Sequence, residues 1–136
     1  MKKIINVIVS ISLLSVVFCV FKVFADESET VKCKKLIESY GWRISEKHTE
    51  SVEITIPEIF DEVYKGYNAI QKEAGLDIEP YCGMSGRRYT YEVLNYPFDV
   101  GEKVYANVVC IKGEAVAGDI MTVSVNGFMH SLKMPN

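Results

Sequence analysis

Residues 82–98, "CGMSGRRYTYEVLNYPF", bring a thiol, two glycines, adjacent arginines and three tyrosines into one short stretch. Within it, "GMSGRR" could form an anion cradle, with backbone amides and Arg87 or Arg88 gripping a phosphate or carboxylate. A nucleotide phosphate loop needs G-x-x-x-x-G-K-[ST] opening a helix, whereas these glycines lead into a strand. The plainer alternative is a flexible turn whose arginines pair with acids. A second chemistry is recognition: Arg88 with Tyr81, Tyr96 and Phe98 would make an aromatic surface, each tyrosine offering ring area and a polar tip. Tyr81 and Tyr96 fall in loops and are expected to be exposed. Tyr89 and Tyr91 share a strand face with Val93 and are expected in the core or at its edge.

Two further residues qualify as binding candidates. Asp119 interrupts the apolar run "AVAGDI", and burial there would raise its pKa. An edge or outward position would leave it ordinary. His130, in "GFMHSLK", either orients the C-terminal segment or serves as a base with Asp119 or a cysteine in a small cofactor-free enzyme. No cysteine-hydrolase signature surrounds Cys82, and no catalytic residue is assigned. His48 is expected as a solvated residue before the first strand. With no C-x-x-C and only two histidines, no zinc spacing can be assembled, and neither metal nor cofactor is expected. Beyond residue 25 the cysteines are Cys33, Cys82 and Cys110. Three thiols allow at most one bridge; Cys82–Cys110 is the pairing considered, with Cys33 a small apolar residue on a helix face.

The N-terminus sets the location. Lys2 and Lys3 precede eighteen uncharged residues, "IINVIVSISLLSVVFCVF" at 4–21, followed by "KVFADESET". A basic start, an apolar stretch and a V-x-A site ending at Ala25 describe an export signal cleaved there. Eighteen apolar residues also reach the lower limit for a membrane span, and Lys22 sits close to the cleavage point, so a retained anchor through 4–21 stands beside the cleaved signal. Both place the rest of the chain outside the cytoplasm, secreted or held on the outer face of the membrane. Cys19 lacks the small preceding residue of a lipidation site, since Phe18 stands there, and reads more simply as apolar. Without Lys2, Lys3 and Lys22 the 15 basic residues fall to 12 against 18 acidic ones, a net charge near −6. That balance excludes nucleic acid as a partner. An envelope protein, a peptide or an anionic ligand remains.

The positioning elements follow from periodicity. "TVKCKKLIESYGW" spaces Cys33, Leu36, Ile37 and Tyr40 as a helix that stops at Gly41. "SVEITIP" alternates as a half-buried strand with Val52, Ile54 and Ile56 inward. From Glu58 to Ala74, Ile59, Val63, Tyr67, Ile70 and Ala74 form an apolar helical stripe, capped by Gly75. Strands are expected at 88–95, 103–111 and 115–123, the last two joined by a tight turn at Lys112–Gly113. A two-residue turn sets Asn107 opposite Gly118 and Ala106 opposite Asp119; a three-residue turn with a bulge reverses the faces. "NGFMHSLKMPN" closes the chain with a turn and a helical turn. The sum is an α+β domain over residues 26–136, two helices packed on one face of a mostly antiparallel four-stranded sheet, with residues 1–25 as signal or anchor.

The run of "LIESYGW", "ITIPEIFDEVYKGYNAIQKEAGLDIEPY", "RRYTYEVLNYP", "VYANVVCIKGEAVAGDI" and "GFMHSLK" resembles a family of small extracytoplasmic bacterial domains of unknown function, found in Gram-positive anaerobes. The likeness spans Leu36 to Lys133. It implies a place outside the membrane behind a hydrophobic N-terminal segment, and no activity. It points to Asp119, Phe128 and His130 as hallmark positions, and an anaerobic host weighs against a bridge between the remaining cysteines. The expected role is a non-enzymatic binding or interaction module of the envelope.

Overall fold

The computed structural model describes residues 1–136, with side chains described for all but 6, 7, 25 and 26. One helix, α1 (Lys2–Ser39), takes in both the apolar N-terminal stretch and the first expected helix. Its 38 residues make a rod about 57 Å long at 1.5 Å per residue. Its most apolar 18-residue window has a mean hydropathy of 2.7 and no buried residue, so it is long and apolar enough to cross a membrane. The boundary expected after residue 25 falls inside this helix; the Ala25 side chain lies outside the described residues. Near its C-terminus α1 turns amphipathic, burying Cys33 and Ile37 one turn apart. Gly41, at φ +93°, accepts the left-handed conformation that ends it.

Five strands follow in one antiparallel sheet ordered as in the chain: β1 (Glu50–Thr55), β2 (Ser85–Glu92), β3 (Tyr105–Ile111), β4 (Glu114–Met121) and β5 (Met129–His130). The α+β class is as expected. The fifth strand comes from "GFMH", where a helical turn was expected. Lys112 and Gly113 both have positive φ (51° and 76°), as a two-residue turn of this hand requires. Next to that turn Cys110 opposes Ala115, the two-residue register. A bulge at Val109/Cys110 then moves the pairing by one, so Asn107 faces Asp119 and Ala106 faces Ile120. Asp119 thereby joins the side of Asn107 and Val109, and Ile120, expected with Val109, goes to the other.

The second helix, α2 (Glu62–Glu73), starts where Asp61 Oδ1 accepts the Tyr64 N–H at 2.9 Å. Its expected apolar stripe is only partly buried: Ala74 is buried and Tyr67 and Ile70 are half-buried, while Val63 stays 76% exposed and Ile59, ahead of the helix, 86% exposed. Asn68 and Gln71 are buried beside them. Hydrogen bonding accounts for these two. Asn68 Oδ1 accepts the Ile78 N–H (2.9 Å) and its Nδ2 donates to Asp77 (2.8 Å); Gln71 Oε1 accepts the Gly118 N–H (2.8 Å). Each amide satisfies a backbone donor that would otherwise be buried without a partner.

The helices therefore divide between the two sides of the sheet instead of sharing one. On one side, Cys33 and Ile37 of α1 pack with Trp42, Tyr89, Tyr91, Val108, Ile120 and Leu132. On the other, Tyr64 and Tyr67 of α2 lie against Val109, Ile111 and Ala117. The division explains the cysteines. Cys110 points to the α1 side and is bonded to Cys33, which corrects the Cys82–Cys110 pairing. Cys82 is exposed and free, in the connector after the Glu79–Tyr81 turn, whose Tyr81 packs on the α2 side.

Candidate functional site

Between α2 and its side of the sheet lies a groove of about 430 Å³. The helix contributes Val63, Tyr64, Tyr67 and Ile70. The sheet contributes Ile54 from β1, Arg88 from β2, Asn107 and Val109 from β3, Asp119 and Met121 from β4 and Met129 from β5, with Ile56 just past β1. Its walls are apolar and its floor is polar. Side chains alternate along a strand, so one polar residue in each of three neighbouring strands suffices to build that floor.

Asp119 is the centre, only 2% exposed. Asn107 Nδ2 donates to its Oδ2 at 2.9 Å and Tyr67 Oη to its Oδ1 at 3.1 Å; Thr90 Oγ1 in turn donates to Asn107 Oδ1 at 2.7 Å. Burial pushes the Asp119 carboxyl up to about 6, against the two hydrogen bonds and the charge of Arg88, which pull it down. Tyr67 is held well above the ordinary phenol range, first by burial and then by the Asp119 charge. Arg88 reaches out of the floor to Glu50, Nη2 to Oε2 at 3.2 Å, while its Nε is buried with no hydrogen-bond partner among the described residues. A buried guanidinium N–H left unpaired is costly, and an incoming acceptor relieves it.

Of the residues singled out from sequence, Arg88 and Asp119 meet in this groove. The others do not. Arg87, next along β2, points to the α1 side and binds Ser51 Oγ (3.0 Å) and Glu53 (3.2 Å). The two arginines thus diverge and do not converge on one anion. Tyr81 and Tyr96, expected to be exposed, are half-buried. His130 pairs through β5 with Ile120, on the side opposite Asp119, so those two side chains do not come together. Cys110 is taken by Cys33, and Cys82 belongs to the connector.

His130 and Tyr96 instead close an aromatic pile. Tyr96 stacks on Trp42 at 5.8 Å and on Phe128 at 5.4 Å, and Phe128 stacks on His130 at 5.5 Å. His130 Nδ1 lies 2.7 Å from the Ser131 carbonyl, which can only accept, so in the neutral ring Nε2 accepts from Tyr96 Oη at 3.1 Å. Trp42 Nε1 donates to the Leu132 carbonyl at 2.7 Å. This pile packs the C-terminal segment over the α1 side.

Tyr67, Asn107 and Thr90 were missed as site residues. A usable signal was present for Asn107: "YANVVCI" and "AVAGDI" each carry one short polar residue inside an apolar run, and a polar group buried there needs a hydrogen-bond partner. No curated protein and no solved structure matches the chain. A family model does match, over residues 36–120, which include the whole polar floor and stop before "GFMHSLK"; it is described as Domain of unknown function (DUF4830).

Proposed function

Starting from the chain's membership of the DUF4830 family, we propose that it is a binding module tethered to the outer face of a membrane and that the groove under α2 is its ligand site. The apolar length of α1 and the lysines ahead of it support the tether and its orientation. The observation that carries the binding reading is the buried Arg88 Nε–H, unpaired beside a buried carboxylate within apolar walls. A groove with few convergent polar groups and an apolar lining suits a ligand that is mostly hydrocarbon with one polar end.

The sign of that end follows from the floor. Arg88 faces two carboxylates, Asp119 and Glu50, so an anion entering there meets more negative charge than positive. A neutral carbonyl accepts from Arg88 Nε without that repulsion. The ligand class is therefore an apolar group beside an amide carbonyl, as in a peptide with a branched side chain.

The test uses the full chain, isotope-labelled, in lipid nanodiscs. Titration with 4-methylpentanamide is expected to shift the Arg88 Nε–H signal and the methyl signals of Val63 and Ile70 together, and at lower concentration than 4-methylpentanoate. Signals that stay still with the amide, or move only with the acid, would refute the reading.

A further inference from the structure

The two edges of the sheet are finished differently. The Ile56 N–H bonds to the Met84 carbonyl at 2.8 Å, in register with β1 and β2. Since bonding alternates along an antiparallel strand, the even-numbered residues of β1 face β2, and Ser51, Glu53 and Thr55 turn their N–H and C=O groups outward. Carried across the sheet, the same alternation turns the Gly118 N–H outward from β4, where Gln71 receives it and β5 covers the next position. At β1 nothing comparable happens. Among the described residues no strand lies beyond it, and no backbone hydrogen bond outside the sheet engages its outward groups.

The side chains of this open edge are sorted. Val52 (36% exposed) and Ile54 lie on the groove side, and Ile54 lines the groove together with the exposed Val63. Ser51, Glu53 and Thr55 lie on the other side, and the Glu53 side chain is 84% exposed. A six-residue edge bearing an exposed valine and a half-buried isoleucine is what proteins ordinarily cover.

We infer that β1 is a docking edge for an extended segment of a partner protein whose side chains alternate apolar and basic. The inference rests on the groove reading for its apolar side chains and on the edge alone for its main chain. An added strand bonds to Ser51, Glu53 and Thr55; its alternate side chains meet Val52, Ile54 and Val63, and those between meet Glu53. The excess of acid beyond residue 25 favours a basic strand. A second copy of this chain fits less well where antiparallel pairing about Glu53 opposes two carboxylates.

The test is calorimetric titration of the full chain, held in phosphatidylcholine nanodiscs, with a blocked hexapeptide alternating valine and lysine, empty discs serving as the blank. Micromolar binding is expected, at least tenfold weaker when glutamate replaces lysine. Glu53→Pro removes one outward donor and leaves the β1–β2 ladder intact; it is expected to lose at least tenfold, and Glu53→Gln only a few-fold. Methylating the peptide amides that face β1 makes the same test without altering the protein, should Glu53→Pro misfold. Binding that survives both the proline and the methylation overturns the inference, as does chain dimerisation that Glu53→Pro abolishes. The groove is read separately through Arg88→Met. Loss with the proline but not with Arg88→Met sustains the edge and discards the groove; loss only with Arg88→Met does the reverse.

Discussion

Asp119 and Ile120 are neighbours in β4, and they serve opposite halves of the molecule. Ile120 enters an interior shared with α1, Trp42 and the Cys33–Cys110 bond, closed by the aromatic pile. Asp119 enters a groove with a polar floor, an unpaired arginine N–H and walls open to solvent. One side supplies stability through close packing; the other retains unmet hydrogen-bonding capacity, which is what recognition requires. The same strand serves both because side-chain direction reverses at every residue.

The contrast can be broken from its stable side first. Trp42→Ala removes a side chain that is 1% exposed together with its bond to the Leu132 carbonyl. It is expected to cost about 3–5 kcal/mol, measured by urea unfolding followed by far-UV circular dichroism in detergent micelles. A loss no larger than that of Tyr67→Phe, which deletes one hydrogen bond from the groove, would erase the distinction between the two sides.

The next effect depends on pH and belongs to the groove. The Asp119 carboxyl is held near 6 in the folded chain and near 3.9 when unfolded. The folded state therefore keeps its proton longer, and this group's contribution to stability declines as pH rises from about 4 to 6, by up to about 3 kcal/mol. Asp119→Asn lacks that decline. The melting temperature of the native chain minus that of the variant should fall between pH 4.5 and pH 7.5; a constant difference would remove the carboxyl from its buried position.

Smaller effects sharpen the comparison. A Cβ at Gly118 would sit 2.8 Å from Leu132 Cδ1 and 2.9 Å from the Asn107 carbonyl, so Gly118→Ala is expected to cost about 1–3 kcal/mol by overpacking. Its effect should appear on the Leu132 side and spare the groove methyls in carbon–proton spectra. Asp61→Ala deletes the cap of α2 and should cost about 1 kcal/mol, with faster amide exchange in Glu62–Lys65 and none of that change at Trp42.

What the sequence disclosed was local. Glycine at 41 and 75 marked helix ends, and Lys112–Gly113 marked the hairpin, because each acts through its own backbone angles. The groove's polar residues could be noticed singly, but their convergence was illegible for two physical reasons. A single-residue bulge at Val109/Cys110 decides which of Asp119 and Ile120 faces α2, and alternation cannot reveal a one-residue shift. On α2, Asn68 and Gln71 reach distant backbone donors and are buried beside the apolar stripe, which periodicity alone does not show. The cysteine pairing failed likewise, since it depends on which side of the sheet each thiol faces. Asp119 and Arg88 drew notice as chemically unusual residues, but their conjunction required the register.

Trp42 has one more consequence. It is the only tryptophan in the chain, and it lies beneath Tyr96 on the side away from the groove. Its fluorescence is thus an internal gauge of one half of the protein: emission stays blue while the C-terminal segment is seated and reddens when that segment lifts, whatever occupies the opposite half.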